Sequence, residues 1–130
     1  MANLPKSGAV LFAKDMPRVA QFYQELLALT MTHSGEDVIV LESPGQQLII
    51  HAIPKRIAQS IVIASPPKLR TDEAVKLVLP VDSIATTRVK AAALGGGLNP
   101  KAKEFEARGF RACDGYDPEG NVIQFRENVT

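Results

Sequence analysis

The chain has a single cysteine, Cys113, among its 130 residues. That excludes an intrachain disulfide, so the fold must rest on its core, and it favours a reducing compartment. Tryptophan is absent and aromatic residues make up only 5%. An excess of one charge is also missing: 15 Lys and Arg stand against 14 Asp and Glu, a formal net charge of +1. The basic surplus on which DNA- or RNA-binding faces depend is not there, and no block of like charges is long enough for an acidic or basic tail. No apolar run approaches the roughly 18 residues of a membrane-crossing helix. The opening Met1-Ala2-Asn3-Leu4-Pro5-Lys6 lacks the apolar centre of a secretory signal. These absences point to a cytoplasmic protein with neither a nucleic-acid nor a membrane partner.

What is present is ordinary for one globular domain: 45% apolar and 22% charged residues. The run Ala9-Val10-Leu11-Phe12-Ala13, within Ser7 to Lys14, predicts a strand buried on both faces. Asp15 then offers a helix cap, because its carboxylate can accept from free amides of the first turn. Pro17 in that turn costs no helical hydrogen bond. Val19, Phe22, Tyr23, Leu26 and Leu27 recur at helical spacing and predict an amphipathic helix ending near Leu29 or Thr30. A weaker strand follows at Met31 to Ser34. The Ser43-Pro44-Gly45-Gln46 turn joins strands at Asp37 to Glu42 and Gln47 to Ile53.

Residues 54–74, punctuated by Pro54, Pro66 and Pro67, read as a connector, with Ile57 and Ile61-Val62-Ile63 able to anchor a short helix or strand. The pattern then recurs. A strand at Val75 to Val81 leads to a second cap at Asp82-Ser83. A helix from Ile84 to Leu94 follows, stopped by Gly95-Gly96-Gly97. Strands are expected at Glu104 to Glu106, Arg108 to Asp114 and Val122 to Arg126, with the Asp117-Pro118-Glu119-Gly120-Asn121 turn before the last. Residues 7–53 and 75–127 thus share the order β-α-β-β-β, a duplication of pattern rather than of residue identity.

This order resembles the vicinal oxygen chelate superfamily of glyoxalase I, extradiol dioxygenases, methylmalonyl-CoA epimerase, and fosfomycin- and bleomycin-resistance proteins. The Asp15 and Asp82 caps, Phe22-Tyr23 and the Asp117-to-Asn121 turn before an apolar strand carry the likeness, which spans nearly the whole chain. The resemblance implies an α+β fold of two βαβββ modules forming a curved mixed sheet around a cavity. It also implies a homodimer, and in family enzymes a divalent metal held by up to four strand side chains.

Counting from the two caps and the turn, the four ligand positions fall on Gly8, on His51 (or Gln47 or Ile49 in a shifted register), on Lys76 and on Gln124. Gly8 has no side chain, and a protonated lysine has no lone pair. The remaining neutral pair is a poor divalent site. The expectation is therefore a site without metal or other cofactor.

Strand alternation gives a mostly apolar pocket with a few polar groups. Gly8, Val10, Phe12, Ile49, His51, Ile53, Lys76, Val78, Val122, Gln124 and Arg126 face it, while Leu77, Leu79 and Val81 pack on the helices. Phe12, Ile49, His51, Lys76, Gln124 and Arg126 are the candidate ligand contacts. Lys76 and Arg126 make the wall mildly cationic and suit an anionic or carbonyl-bearing small molecule; His51 could act as an acceptor or a general base. Each candidate also has a purely structural account. His33 is expected to be exposed and Cys113 to be an inert, partly buried thiol. Ser60, Ser65 and Ser83 lie in no nucleophile-elbow pattern. Gly95-Gly96-Gly97 follows a helix where a phosphate loop would precede one, which argues against nucleotide binding.

Three functions remain open on these residues: a metal-independent small-molecule binder, a metal-dependent lyase, isomerase or dioxygenase of the same fold, and a non-catalytic accessory dimer. The scarcity of aromatics and the cationic wall make cationic bleomycin a doubtful ligand.

Overall fold

Asp15 opens the first helix as its chemistry dictates. In a computed structural model that describes residues 4–129, its carboxylate accepts from the Arg18 amide at 3.3 Å. The N-terminal Met1-Ala2-Asn3 lies outside the described residues. Helix α1 (Met16–Leu27) buries Val19, Phe22, Tyr23 and Leu26 on one stripe. It ends slightly earlier than its apolar periodicity suggests, because Ala28 turns left-handed (φ 51°) and its amide bonds back to Gln24 O. Leu29 is buried in the extended segment beyond.

Strand β1 (Gly8–Ala13) precedes this helix; β2 (Thr30–Ser34), β3 (Val38–Ser43) and β4 (Gln46–Ala52) follow it. They form one sheet in the order β1-β4-β3-β2, with β1 and β4 parallel and the other neighbours antiparallel. After a single helical turn, α2 (Lys55–Ala58), the chain reaches β5 (Leu77–Pro80), α3 (Ile84–Ala93), β6 (Gly97–Leu98), β7 (Phe105–Ala107), β8 (Phe110–Tyr116) and β9 (Val122–Asn128). The second sheet runs β5-β9-β8-β6, with β7 added beside β8 and β5 parallel to β9. The two sheets therefore repeat one topology, and neither closes on itself.

The core lies between the sheets and the helices. Leu41, Leu48, Ile50, Leu79, Ile123 and Phe125 meet Phe22, Tyr23 and Ala91 there, all essentially inaccessible to water. The other face of β1 is open. Val10 is 49% and Phe12 60% exposed, so β1 is not buried on both faces. An apolar run reports hydrophobicity but not whether a second layer covers it.

Two further differences have local causes. Strand β5 is shorter than Val75 to Val81, because its ladder with β9 runs only from Leu77↔Ile123 to Pro80↔Arg126. Lys76 therefore lies just before the strand. Gly97, read as part of a helix stop, instead pairs with Tyr116 as the start of β6.

The Asp117-to-Asn121 turn joins the modules. Asp117 is fully buried, and its carboxylate accepts from Tyr23 Oη (2.7 Å), Asn121 Nδ2 (2.8 Å), Glu119 N (2.9 Å) and Asn121 N (3.0 Å). Two residues on, Glu119 accepts from the Lys14 and Asp15 amides at 2.9 and 2.7 Å. Glu119 thus reaches the β1–α1 corner of the other module, and Asp117 reaches Tyr23 within its helix α1. Buried charge is tolerated only when it is hydrogen-bonded in this way. Gly120 closes the turn at φ 88°, and a side chain there would strike the Lys68 carbonyl.

Candidate functional site

The concave face of the first sheet is built by cross-strand register. Val10 lies opposite Ile49, Phe12 opposite His51, and Gly8 opposite Gln47. The Phe12 and His51 rings are 5.5 Å apart at 46°. His51 Nδ1 lies 2.9 Å from Ala52 O, and among the described residues Nε2 has no hydrogen-bond partner. At the far end of this face Gln47 Nε2 donates to Glu42 Oε1 at 2.6 Å. That bond, assisted by the Lys6 ammonium, holds the Glu42 carboxyl below the usual carboxylate range.

On the second sheet, register brings Val78, Gln124 and Asp114 side by side across β5, β9 and β8. A polar chain runs over them. Lys76 Nζ pairs with Asp114 Oδ2 at 2.8 Å, Gln124 Nε2 donates to Asp114 Oδ1 at 3.3 Å, and Arg126 Nε donates to Gln124 Oε1 at 2.7 Å. The Arg126 guanidinium stacks 4.1 Å above the Phe110 ring. Lys76 is therefore no free cation, and the wall is less positive than Lys76 and Arg126 alone suggest. Asp114 was missed at the sequence level. The signal was available, since the turn centred on Glu119 places Asp114 opposite Gln124 by simple counting.

Between the modules lies a cleft of about 610 Å³. Ala9, Val10, Leu11 and Phe12 line it consecutively, so it meets the edge of β1 rather than one face. Among the described residues that edge has no strand partner, and neither has the facing edge of β5. Tyr23 and Ile123 reach the cleft from the core, and Arg70, Glu73, Val75 and Lys76 from the connecting segment. Of the six candidate contacts, Phe12 and Lys76 line this cleft; Ile49 and His51 continue from Phe12 on the first concave face, while Gln124 and Arg126 continue from Lys76 on the second. Arg70 and Glu73 went unread because the connector has no periodicity from which to infer its path.

The four positions implied for a metal are spread between these faces. A Cβ at Gly8 would collide with the Gln47 carbonyl, so that corner is closed to any side chain. Among the described residues no three His, Cys, Asp or Glu side chains converge.

A family model for the glyoxalase-like domain matches residues 8–125. The chain belongs to the glyoxalase-like family. Solved structures agree with this glyoxalase-like fold over nearly the whole chain. A glyoxalase/bleomycin resistance protein/dioxygenase family enzyme from Burkholderia phytofirmans PsJN superposes with a TM-score of 0.68 at 18% identity, covering 95% of this chain and 98% of the other. The fosfomycin resistance protein FosX from Mesorhizobium loti gives 0.65 at 11% identity, covering 99% and 95%. The bleomycin-binding protein of Streptomyces verticillus, solved with copper(II)-bleomycin, gives 0.59 at 17%, covering 99% and 100%. No curated protein sequence matches. At these identities the likeness shows the fold. No helix among the described residues of this glyoxalase-like protein is long and apolar enough to cross a membrane.

Proposed function

We propose that this protein binds a small anionic or carbonyl-bearing molecule without a metal, in the cleft between β1 and β5 and on the concave faces beside it. The cleft itself carries the reading: its volume and its mostly apolar lining with a few charged groups are those of a small-molecule site. Phe12 lines the cleft on one side with Ile49 and His51 beside it, and Lys76 on the other with Gln124 and Arg126 beside it. Two observations support binding without a metal. Gly8 cannot carry a ligand, and Lys76 and Gln124 are both committed to Asp114. The residues present do not fit a divalent ion. The exposed Val10, Phe12 and Val78 and the unpaired strand edges support a homodimer whose partner subunit closes over the cleft, and the single cysteine supports a cytoplasmic setting.

The test is elemental analysis of protein purified without chelator, followed by titration with Ni, Zn, Mn and Fe(II). Substoichiometric metal, an unchanged melting temperature on titration, and a melting temperature raised by small acids or carbonyl compounds are the expected results. Tight stoichiometric metal would overturn the reading in favour of a metal-dependent lyase, isomerase or dioxygenase. Light scattering at graded concentrations tests the dimer, and a monomer throughout would remove it.

A further inference from the structure

Arg70 is pinned to the inter-module turn at several points. Its amide donates to Gly120 O at 2.9 Å, its backbone bridges Asn121 in parallel, and its Nε donates to Glu119 O at 3.3 Å. One edge of the guanidinium is thus spent on the fold. Among the described residues no carboxylate lies within 4.0 Å of it, and Nη1 and Nη2 have no protein acceptor. Arg70 is half-buried and lines the 610 Å³ cleft. The cleft's other cation, Lys76, is already neutralised by Asp114.

We infer that Arg70 anchors the carboxylate of an amphipathic monoacid whose apolar tail lies along Val10, Phe12, Leu77 and Val122. This rests on the small-molecule reading of the cleft and names its ligand class. A guanidinium with two free terminal nitrogens matches the two oxygens of a carboxylate, and its charge survives partial burial. Pinning through Nε lowers the entropy lost when the pair forms. A monoanion suits the site better than a dianion. One cation is unpaired, and Glu73, exposed on the same lining, opposes a second negative charge.

Calorimetric titration with octanoate and with its neutral amide, octanamide, tests this. The full chain should bind octanoate at least about tenfold more tightly, the usual return on a charge-assisted pair. Arg70→Gln should bring the two ligands level while still binding octanamide, which shows the cleft intact. Arg56→Gln, an equal charge change on the exposed α2, should keep the preference. Should Arg70→Gln fail to fold, Arg70→Lys keeps the charge without the fork, and its preference should shrink severalfold. Equal affinity of the unaltered protein for the two ligands would overturn the role of Arg70 and leave the cleft reading standing. So would a preference that survives at full size in the Arg70 variants. Binding of neither ligand would overturn both.

Discussion

Tyr23 Oη donates to Asp117 Oδ2 at 2.7 Å, joining residues 94 positions apart across the module boundary. Both side chains are fully buried, so the bond is made without competition from water. Tyr23→Phe leaves the packed ring in place and removes one of four donors from a buried carboxylate. The expected loss of stability is about 1–3 kcal/mol, the range for under-satisfying a buried polar group. Chemical denaturation of the variant measures it. A change below a few tenths would mean that the remaining donors suffice.

The same bond sets an alkaline limit. Burial, and next the adjacent Asp117 carboxylate, push the Tyr23 phenol well above its ordinary range. The folded state thus holds a proton that the unfolded chain releases near pH 10. The stabilisation is complete below about pH 10 and is lost as pH rises beyond it. Denaturation midpoints measured across that range should fall for the unaltered protein and fall less steeply for Tyr23→Phe.

Much of this geometry is legible in the residues, for identifiable reasons. Helix α1 is written in the stripe of Val19, Phe22, Tyr23 and Leu26 and in the Asp15 cap. The β3–β4 hairpin is written in its alternation and turn, and the topological repeat in the second cap and glycine stop. The sequence did not disclose partners chosen by three-dimensional approach. Lys76 reads as a free cation until β8 brings Asp114 beside it, and Arg70 reads as connector until Asn121 and Glu119 fix it. An apolar run such as Val10 to Phe12 is equally consistent with a covered face and an open one.

Lys76 and Asp114 provide the contrasting case of a visible ion pair with little stabilising effect. Their side chains are 46% and 29% exposed, so water and salt screen the attraction and ordering the lysine costs entropy. Lys76→Met should shift stability by less than about 1 kcal/mol. A larger loss would show that Lys76 supports the β5 segment in some way beyond this pair.

Cys113 is fully buried in β8, with Asn99 O 3.3 Å and Arg88 Nη2 3.6 Å from its sulfur. Burial raises its thiol above the usual range, and the opposing pull of Arg88 does not cancel that. A protonated, inaccessible thiol is a poor nucleophile. Alkylation by iodoacetamide at neutral pH should be slow in native buffer and accelerate sharply once denaturant opens the fold. Rapid native labelling would indicate that the β8 region opens far more often than its burial suggests.

Gly8 offers the sharpest test of why the metal positions are incomplete. Placing a histidine there would nominally restore one ligand. The same Cβ, however, meets the Gln47 carbonyl, which sits close because Gly8 and Gln47 are register partners in the parallel β1–β4 ladder. Relief requires β1 to move from β4, and overpacking of this kind costs about 1–3 kcal/mol. Gly8→Ala should already show most of the loss, since the collision begins at the first side-chain carbon. Gly8→His should be no more stable and should gain no thermal protection from nickel or zinc. If Gly8→His is instead stabilised by metal while Gly8→Ala remains near native stability, β1 has room to shift, and the closed corner is not what keeps a metal out.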